Sequence, residues 1–169
     1  MKAVIIDLDG ICFDPTERLK RCKKEDGTID WNKAFSPEQI VCDPVIEHSE
    51  HATWKIWEWY KIVYLTGRSN IARAANMISL FVNNDFAPGM LCMRKENDLR
   101  PDHQLKAEGI DFLKENYKMN FVAAIDDDYN GKLKPMYELL GIPCFLTFEI
   151  FFRSELWLKS ICEEKHNCR

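Results

Sequence analysis

Two aspartates one residue apart, Asp7 and Asp9, close a short apolar run, Ala3 to Ile6, and Gly10 follows at once. On an extended strand, residues i and i+2 face the same side. The pair therefore sets two carboxylates together where the run before them offers no partner. A second acidic set, Asp126, Asp127 and Asp128, closes another apolar run, Phe121 to Ile125. Taken alone, that set reads equally well as a solvated turn, where Asp is common. Brought to one place, carboxylates from two strands repel each other. A hard cation with oxygen ligands removes the repulsion, and Mg²⁺ is the usual choice beside phosphate. One aspartate of such a set could then act as a covalent nucleophile, and a second, two residues on, could pass protons.

Two further groups complete that chemistry. Thr66 and Gly67, after the run Lys61 to Leu65, supply a hydroxyl and an unhindered backbone N–H at a strand-to-helix junction, where anions bind. Taken alone, Thr66-Gly67-Arg68 is a plain turn. Lys106 shares a helical stripe with Asp102, Ile110, Leu113 and Tyr117. It heads an apolar face, from which it could balance carboxylates and bind a phosphate oxygen. The plainer alternative is a surface pair with Asp102, worth only about 0.3–0.5 kcal/mol. Nucleophile, metal, acid and cationic clamp are together the parts of a phosphoryl-transfer site.

The elements that must position these groups are legible as an alternation. Strands are expected at Ala3–Ile6, Lys61–Leu65, Gly89–Met93, Phe121–Ile125 and Ile142–Phe148, each a continuous apolar run of the kind buried on both faces. Helices are expected at Pro44–Tyr60, Asn70–Phe81, Asp102–Tyr117 (Asp102 as its cap), Asn130–Leu140 and Phe151–Glu164. This order implies an α/β fold, a three-layer Rossmann-like arrangement with a central parallel sheet of five strands. In such sheets ligands bind beyond the carboxyl ends of the strands, and four of these five ends carry charged or hydroxyl residues. Residues 12–40 are polar and basic with little periodicity, and read as a small cap or insertion in a single domain spanning 1–169.

The bulk numbers agree with one globular domain: 169 residues, 46% apolar, 30% charged. A net charge of −4 argues against non-specific coating of nucleic acid, though not against a grip on a strand end. The seven cysteines form no CxxC pair and read as reduced thiols, which points to a cytoplasmic protein. No signal peptide is expected, since no charged-then-apolar pattern stands ahead of the first strand, and the most apolar stretch, Ile142 to Phe152, is too short to span a membrane. No membrane partner is expected, and the oligomeric state is not encoded in any recognisable pattern.

With these residues in hand, the sequence resembles the haloacid dehalogenase (HAD) superfamily of phosphatases. The resemblance rests on DLDG at 7–10, LTGR at 65–68, Lys106 on its helix and IDD at 125–127, in that order. It implies Asp7 as nucleophile, Asp9 as general acid and base, and Thr66 and Lys106 as phosphoryl-binding residues. It also implies Mg²⁺ held by Asp7, Asp9 (through its backbone carbonyl), Asp126 and Asp127. A narrower likeness, in the stretches 91–113 and 124–145, is to the 3′-phosphatase domains of bacteriophage polynucleotide kinases. It adds Arg68, Arg100 and Asp102, with Arg18 from the insertion, as substrate-binding residues beside Gly10 and Gly67, whose turn and open backbone N–H already suit that role, and implies a phosphorylated nucleic-acid end or nucleotide as substrate and a phage-encoded protein in a bacterial host. Ile11 stands where the superfamily usually has Thr, and Asp128 where the narrower likeness has Arg. No G-x-x-x-x-G-K-[ST] run occurs, so no kinase is implied.

Two other functions stay open at this level: the same chemistry on 5′-nucleotides or other small phosphomonoesters, and a HAD-like binding module without activity. The basic run Arg18, Lys20, Arg21, Lys23 and Lys24 could track a strand backbone or be a solvated face. His48 with His51 reads as an exposed helical face. Cys162, His166 and Cys168 offer one ligand too few for structural zinc. Trp54, Trp57, Trp59 and Tyr60 read as core.

Overall fold

The computed structural model describes residues 1–159. β1 (Lys2–Ile6) lies at the centre of a five-stranded, wholly parallel sheet. Its partners are β2 (Lys61–Ser69) on one side and β4 (Asn120–Ile125) on the other; β3 (Gly89–Arg94) and β5 (Cys144–Phe145) form the edges, giving the order β3-β2-β1-β4-β5. After exposed Lys2, the four apolar residues of β1 alternate between two cores. Val4 and Ile6 join a cluster with Ile56, Leu80 and Phe151; Ala3 and Ile5 join one with Ile110, Leu113 and Tyr137. Helices on both faces thus explain why this strand is apolar without interruption. The chain proceeds outward from β1 to β2 and β3, then crosses to β4 and β5. The crevice where that direction reverses opens between the ends of β1 and β4, the usual ligand position in such sheets.

On one face lie α4 (Ser49–Trp57) and a helical stretch that changes pitch twice: a 3₁₀ turn at Asn70–Ala72, α5 (Arg73–Ile78) and a π turn at Ser79–Asn83. On the other lie α6 (Asp102–Tyr117) and α7 (Leu133–Leu139). The segment read as a featureless insertion folds into three short helices, α1 (Thr16–Arg21), α2 (Trp31–Ala34) and α3 (Pro37–Ile40). It buries Arg18, Cys22, Ala34 and Ile40.

Several expected boundaries shift, each for a local reason. Helix α4 starts at Ser49 because residues 44–46 are engaged with 12–14: Asp14 N–H donates to Pro44 and Ile46 N–H to Cys12. α7 starts late because the Asp128 carboxylate accepts from Leu133 N–H at 2.7 Å. β5 is only two residues long because Thr147 caps the next helix, α8 (Phe148–Phe152), accepting from Ile150 N–H at 3.2 Å. Past α8 the chain turns at 153–154 and is helical again over 155–159; the remainder of the helix expected at Phe151–Glu164 lies outside the described residues. Asp102 is not a cap, since Pro101 occupies that position and no side chain caps α6.

Candidate functional site

The register of the central strands brings the two acidic sets together. Ile6 pairs with Ile125, so Asp7 and Asp126 leave their strands side by side, and Asp7 N–H donates to the Ile125 carbonyl at 2.9 Å. Asp7, Asp126 and Asp127 each offer an oxygen within 4.8 Å of the others. Lys106 reaches this cluster from the second turn of α6 and is 1% exposed. Its Nζ lies 2.8 Å from Asp126 Oδ2, 3.1 Å from Asp7 Oδ1 and 3.5 Å from Asp102 Oδ2. The Tyr137 hydroxyl on α7 donates to the same Asp126 oxygen at 2.9 Å. Asp126 is therefore satisfied, whereas Asp7 Oδ1 is buried with Lys106 near but out of line, and accepts no hydrogen bond. Burial holds the Asp7 carboxyl well above its ordinary pKa; Lys106 pulls it down without cancelling, and Asp126, Asp102 and Asp9 push with burial. Burial alone would lower Lys106, but Asp126, Asp7 and Asp102 around it hold it well above the usual lysine value. Burial and then Asp126 raise Asp127 to about 6. An all-oxygen donor set, one orphaned carboxylate oxygen and three acids crowded around a single lysine fit a hard divalent cation.

Asp9 faces a different environment. Its Oδ1 accepts from Arg68 Nε at 3.0 Å, Arg68 Nη2 at 2.5 Å and Arg18 Nη2 at 2.5 Å. Both guanidiniums are 1% exposed, and both also bind Asp43, Arg18 through Nε at 2.9 Å and Arg68 through Nη2 at 2.9 Å. Arg18 Nη1 further donates to the Ala34 carbonyl at 3.0 Å, and Arg68 Nη1 to Asn76 Oδ1 at 2.6 Å. Burial would raise the pKa of Asp9, but Arg68 and Arg18 outweigh it and the net shift is downward. Neither arginine lines the open cavity; they meet it through Asp9. Of the basic run, Arg18 alone turns inward, while Lys20, Arg21, Lys23 and Lys24 are exposed.

Two glycines of the site stand where an added Cβ would meet a neighbouring carboxylate. Gly10 has φ +77°, and a Cβ there would sit 2.2 Å from Asp127 Oδ2. Gly67 faces Asp102, whose Oδ1 would be 2.3 Å from an added Cβ. Gly10→Ala is expected to cost about 1–2 kcal/mol of left-handed strain and to push Asp127 out of the cluster, so that any rise in thermal midpoint on adding a divalent cation such as Mg²⁺ should be smaller than in the wild type. Gly131→Ala is the control: φ is +68° but nothing lies within 4 Å. It should carry the strain and keep the full Mg²⁺ response.

A cavity of about 490 Å³ opens over these groups, with Asp7, Asp9, Thr66, Gly67, Asp102 and Asp127 in its lining. The Thr66 hydroxyl accepts from Arg68 N–H at 3.2 Å. Arg100 reaches the cavity wall, yet its guanidinium is paired with Asp98 at 2.6 Å and Glu108 at 2.8 Å. Asp128 turns to the start of α7 and stands apart from the acidic cluster. Ile11 packs into the core beside Leu8 and Phe13.

Three residues in contact with the site were given no role from the sequence. Arg94 ties the Gly67 carbonyl (2.7 Å), the Arg100 carbonyl (2.7 Å) and Asp102 (3.3 Å) together. Its place directly after the third apolar run was the only signal. Tyr137 and Asp43 gave none, since their roles depend on contacts far along the chain. Elsewhere, His48 and His51 are exposed, Trp54 and Trp59 pack on the core with buried Tyr60, and Trp57 is exposed. Cys162, His166 and Cys168 lie outside the described residues. The five described cysteines form no disulfide, and no helix among the described residues is long and apolar enough to cross a membrane.

No protein-family model matches the chain, and no curated protein matches it. Solved structures do. A chain of the Pnkp1/Rnl/Hen1 complex superposes with a TM-score of 0.64 at 26% identity, over 86% of this chain and 45% of that one. A chain of the Pnkp1/Rnl/Hen1 RNA repair complex does so with a TM-score of 0.60 at 28% identity, over 85% of this chain and 41% of that one. The chain thus spans less than half the length of the proteins it matches, and what it is similar to is one part of a component of an RNA repair assembly.

Proposed function

We propose that the chain is a HAD-type, Mg²⁺-dependent phosphomonoesterase that removes 3′-phosphates from nucleic-acid ends, RNA ends in the first instance. The observation that carries this reading is Asp7: a carboxylate at the central strand's carboxyl end, buried, with one oxygen lacking a donor, beside Lys106 and two further aspartates. Ground-state stability alone does not call for such a group. Similarity to part of an RNA repair protein supports the choice of substrate over 5′-nucleotides and other small esters.

Asp7, Asp126 and Asp127, with the Asp9 carbonyl, would hold Mg²⁺, which supplies charge neutralisation for an incoming phosphate. Lys106 and the Thr66 hydroxyl hold the phosphoryl oxygens beside Asp7. An Asp7 carboxylate oxygen attacks phosphorus as the bond to the ester oxygen breaks, leaving an aspartyl-phosphate. Asp9 gives a proton to the departing alkoxide; it then takes one from the water that attacks the aspartyl-phosphate, releasing inorganic phosphate and restoring Asp7. The two arginines keep Asp9 ionised in the resting site. A phosphate dianion next to it raises its proton affinity, which matches a group that must carry a proton only when substrate is bound.

A 3′-phosphorylated oligoribonucleotide should be dephosphorylated in millimolar Mg²⁺. The activity should vanish on chelation and return on adding the metal back. Chelated protein that keeps its full rate would rule out the metal, and faster turnover of 5′-nucleotides than of 3′-ends would overturn the substrate.

A further inference from the structure

The cavity is much larger than a phosphate group needs, and its lining is mixed. Beside Asp7, Asp9, Thr66 and the polar segment 94–102 it includes the apolar side chains of Pro15, Leu19, Trp31 and Phe35. Trp31 is 43% exposed. It is nonetheless held in place. Its ring stacks on Phe35 with centroids 5.3 Å apart and planes 28° from parallel. Phe35 in turn lies beneath the Arg18 guanidinium, Cζ 5.9 Å from the ring centroid, and Arg18 donates to Asp9. The exposed ring is therefore positioned through two contacts relative to a group proposed to meet the reacting ester.

We infer that Trp31 is the platform on which the nucleobase next to the scissile phosphate stacks, so that the site selects esters carrying a base over bare sugar phosphates. This inference rests on the phosphatase reading above and adds a specificity-determining residue to it. An aromatic face accepts every base, because each base has a π-face, and so the preference is for a base and not for a particular sequence. The rigid stack on Phe35 adds to this, since no side-chain order has to be gained on binding.

The test compares a 3′-phosphorylated ribonucleotide with the same sugar 3′-phosphate lacking its base. The quantity read is the ratio of their kcat/KM values. Wild type should prefer the base-bearing ester, and Trp31→Ala should lower that preference roughly 10- to 100-fold, the worth of one stacked base. Trp31→Phe should restore most of it, with the change carried by KM; thermal melts of both variants confirm folded protein. An unchanged ratio in Trp31→Ala, including equal loss on both esters, overturns the inference and leaves the phosphatase reading standing. Wild type that turns over neither ester overturns the reading, and the inference with it.

Discussion

Asp7→Asn is expected to lower phosphatase turnover by roughly 10⁴-fold or more, the scale seen when a covalent nucleophile is removed. The same change should leave the thermal midpoint unchanged or higher. An amide keeps the shape of the side chain while removing a buried charge that Asp126, Asp102 and Asp9 all oppose. Lys106 keeps Asp126 at 2.8 Å, so it is not left without a partner. The two readouts, initial rates on a 3′-phosphorylated oligonucleotide and thermal melting, should move apart. Such a divergence marks a residue whose placement serves chemistry at the expense of stability. Full activity in this variant would sink the mechanism. A large fall in midpoint would mean that the Asp7 charge is held by contacts stronger than those the structure shows.

Lys106→Met is expected to be the most destabilising single change, about 3–5 kcal/mol, because it removes the shared cation from a buried cluster. Asp7 and Asp126 would then face each other with the Tyr137 hydroxyl as the side-chain donor left to Asp126, while Asp102 keeps Arg94 at 3.3 Å. Against a total stability of roughly 5–15 kcal/mol, such a loss is severe. A divalent cation binding the same oxygens stabilises by mass action. Mg²⁺ should therefore raise the urea midpoint of Lys106→Met by more than it raises that of wild type. Lys106→Arg should not rescue the loss, since a planar guanidinium does not fit an enclosed slot built for an ammonium. Urea unfolding with and without Mg²⁺ decides the matter. A cost under ~1 kcal/mol would show that the acids are already neutralised by protons without the lysine.

How far the sequence carried the reading depended on the range of the interaction. Asp7 and Asp126 were legible because each ends an apolar run, and the topology rule brings such ends together. Lys106 was legible because helical periodicity places it on the apolar face of α6, where it is found buried. The ladder pattern of β1 likewise follows from its unbroken apolar composition. What failed to show was anything decided by tertiary neighbours. Arg18 was marked by the narrower likeness as a substrate contact, but its burial between Asp9 and Asp43 was not; only the fold selects it from the basic run while Lys20 pairs with Glu17 at the surface. Asp43 precedes a proline and looks like a turn residue; it is the shared anion of two buried guanidiniums. The ends of β5 and α7 were misplaced because the hydroxyl of Thr147 and the carboxylate of Asp128 set them, and either side chain could equally have pointed to water.

Arg18 has a consequence for how the protein can diversify. A single side chain fastens the helical segment above the cavity to the floor beneath it, through the Ala34 carbonyl, Asp43 and Asp9. The segment is bolted, not hinged. A substrate must fit a slot of fixed width, and turnover should not wait on the opening of a roof. The roof is by the same token an exchangeable part. Its outer residues could be recast to fit another leaving group without touching the chemistry below, as long as one arginine still passes through to the acid.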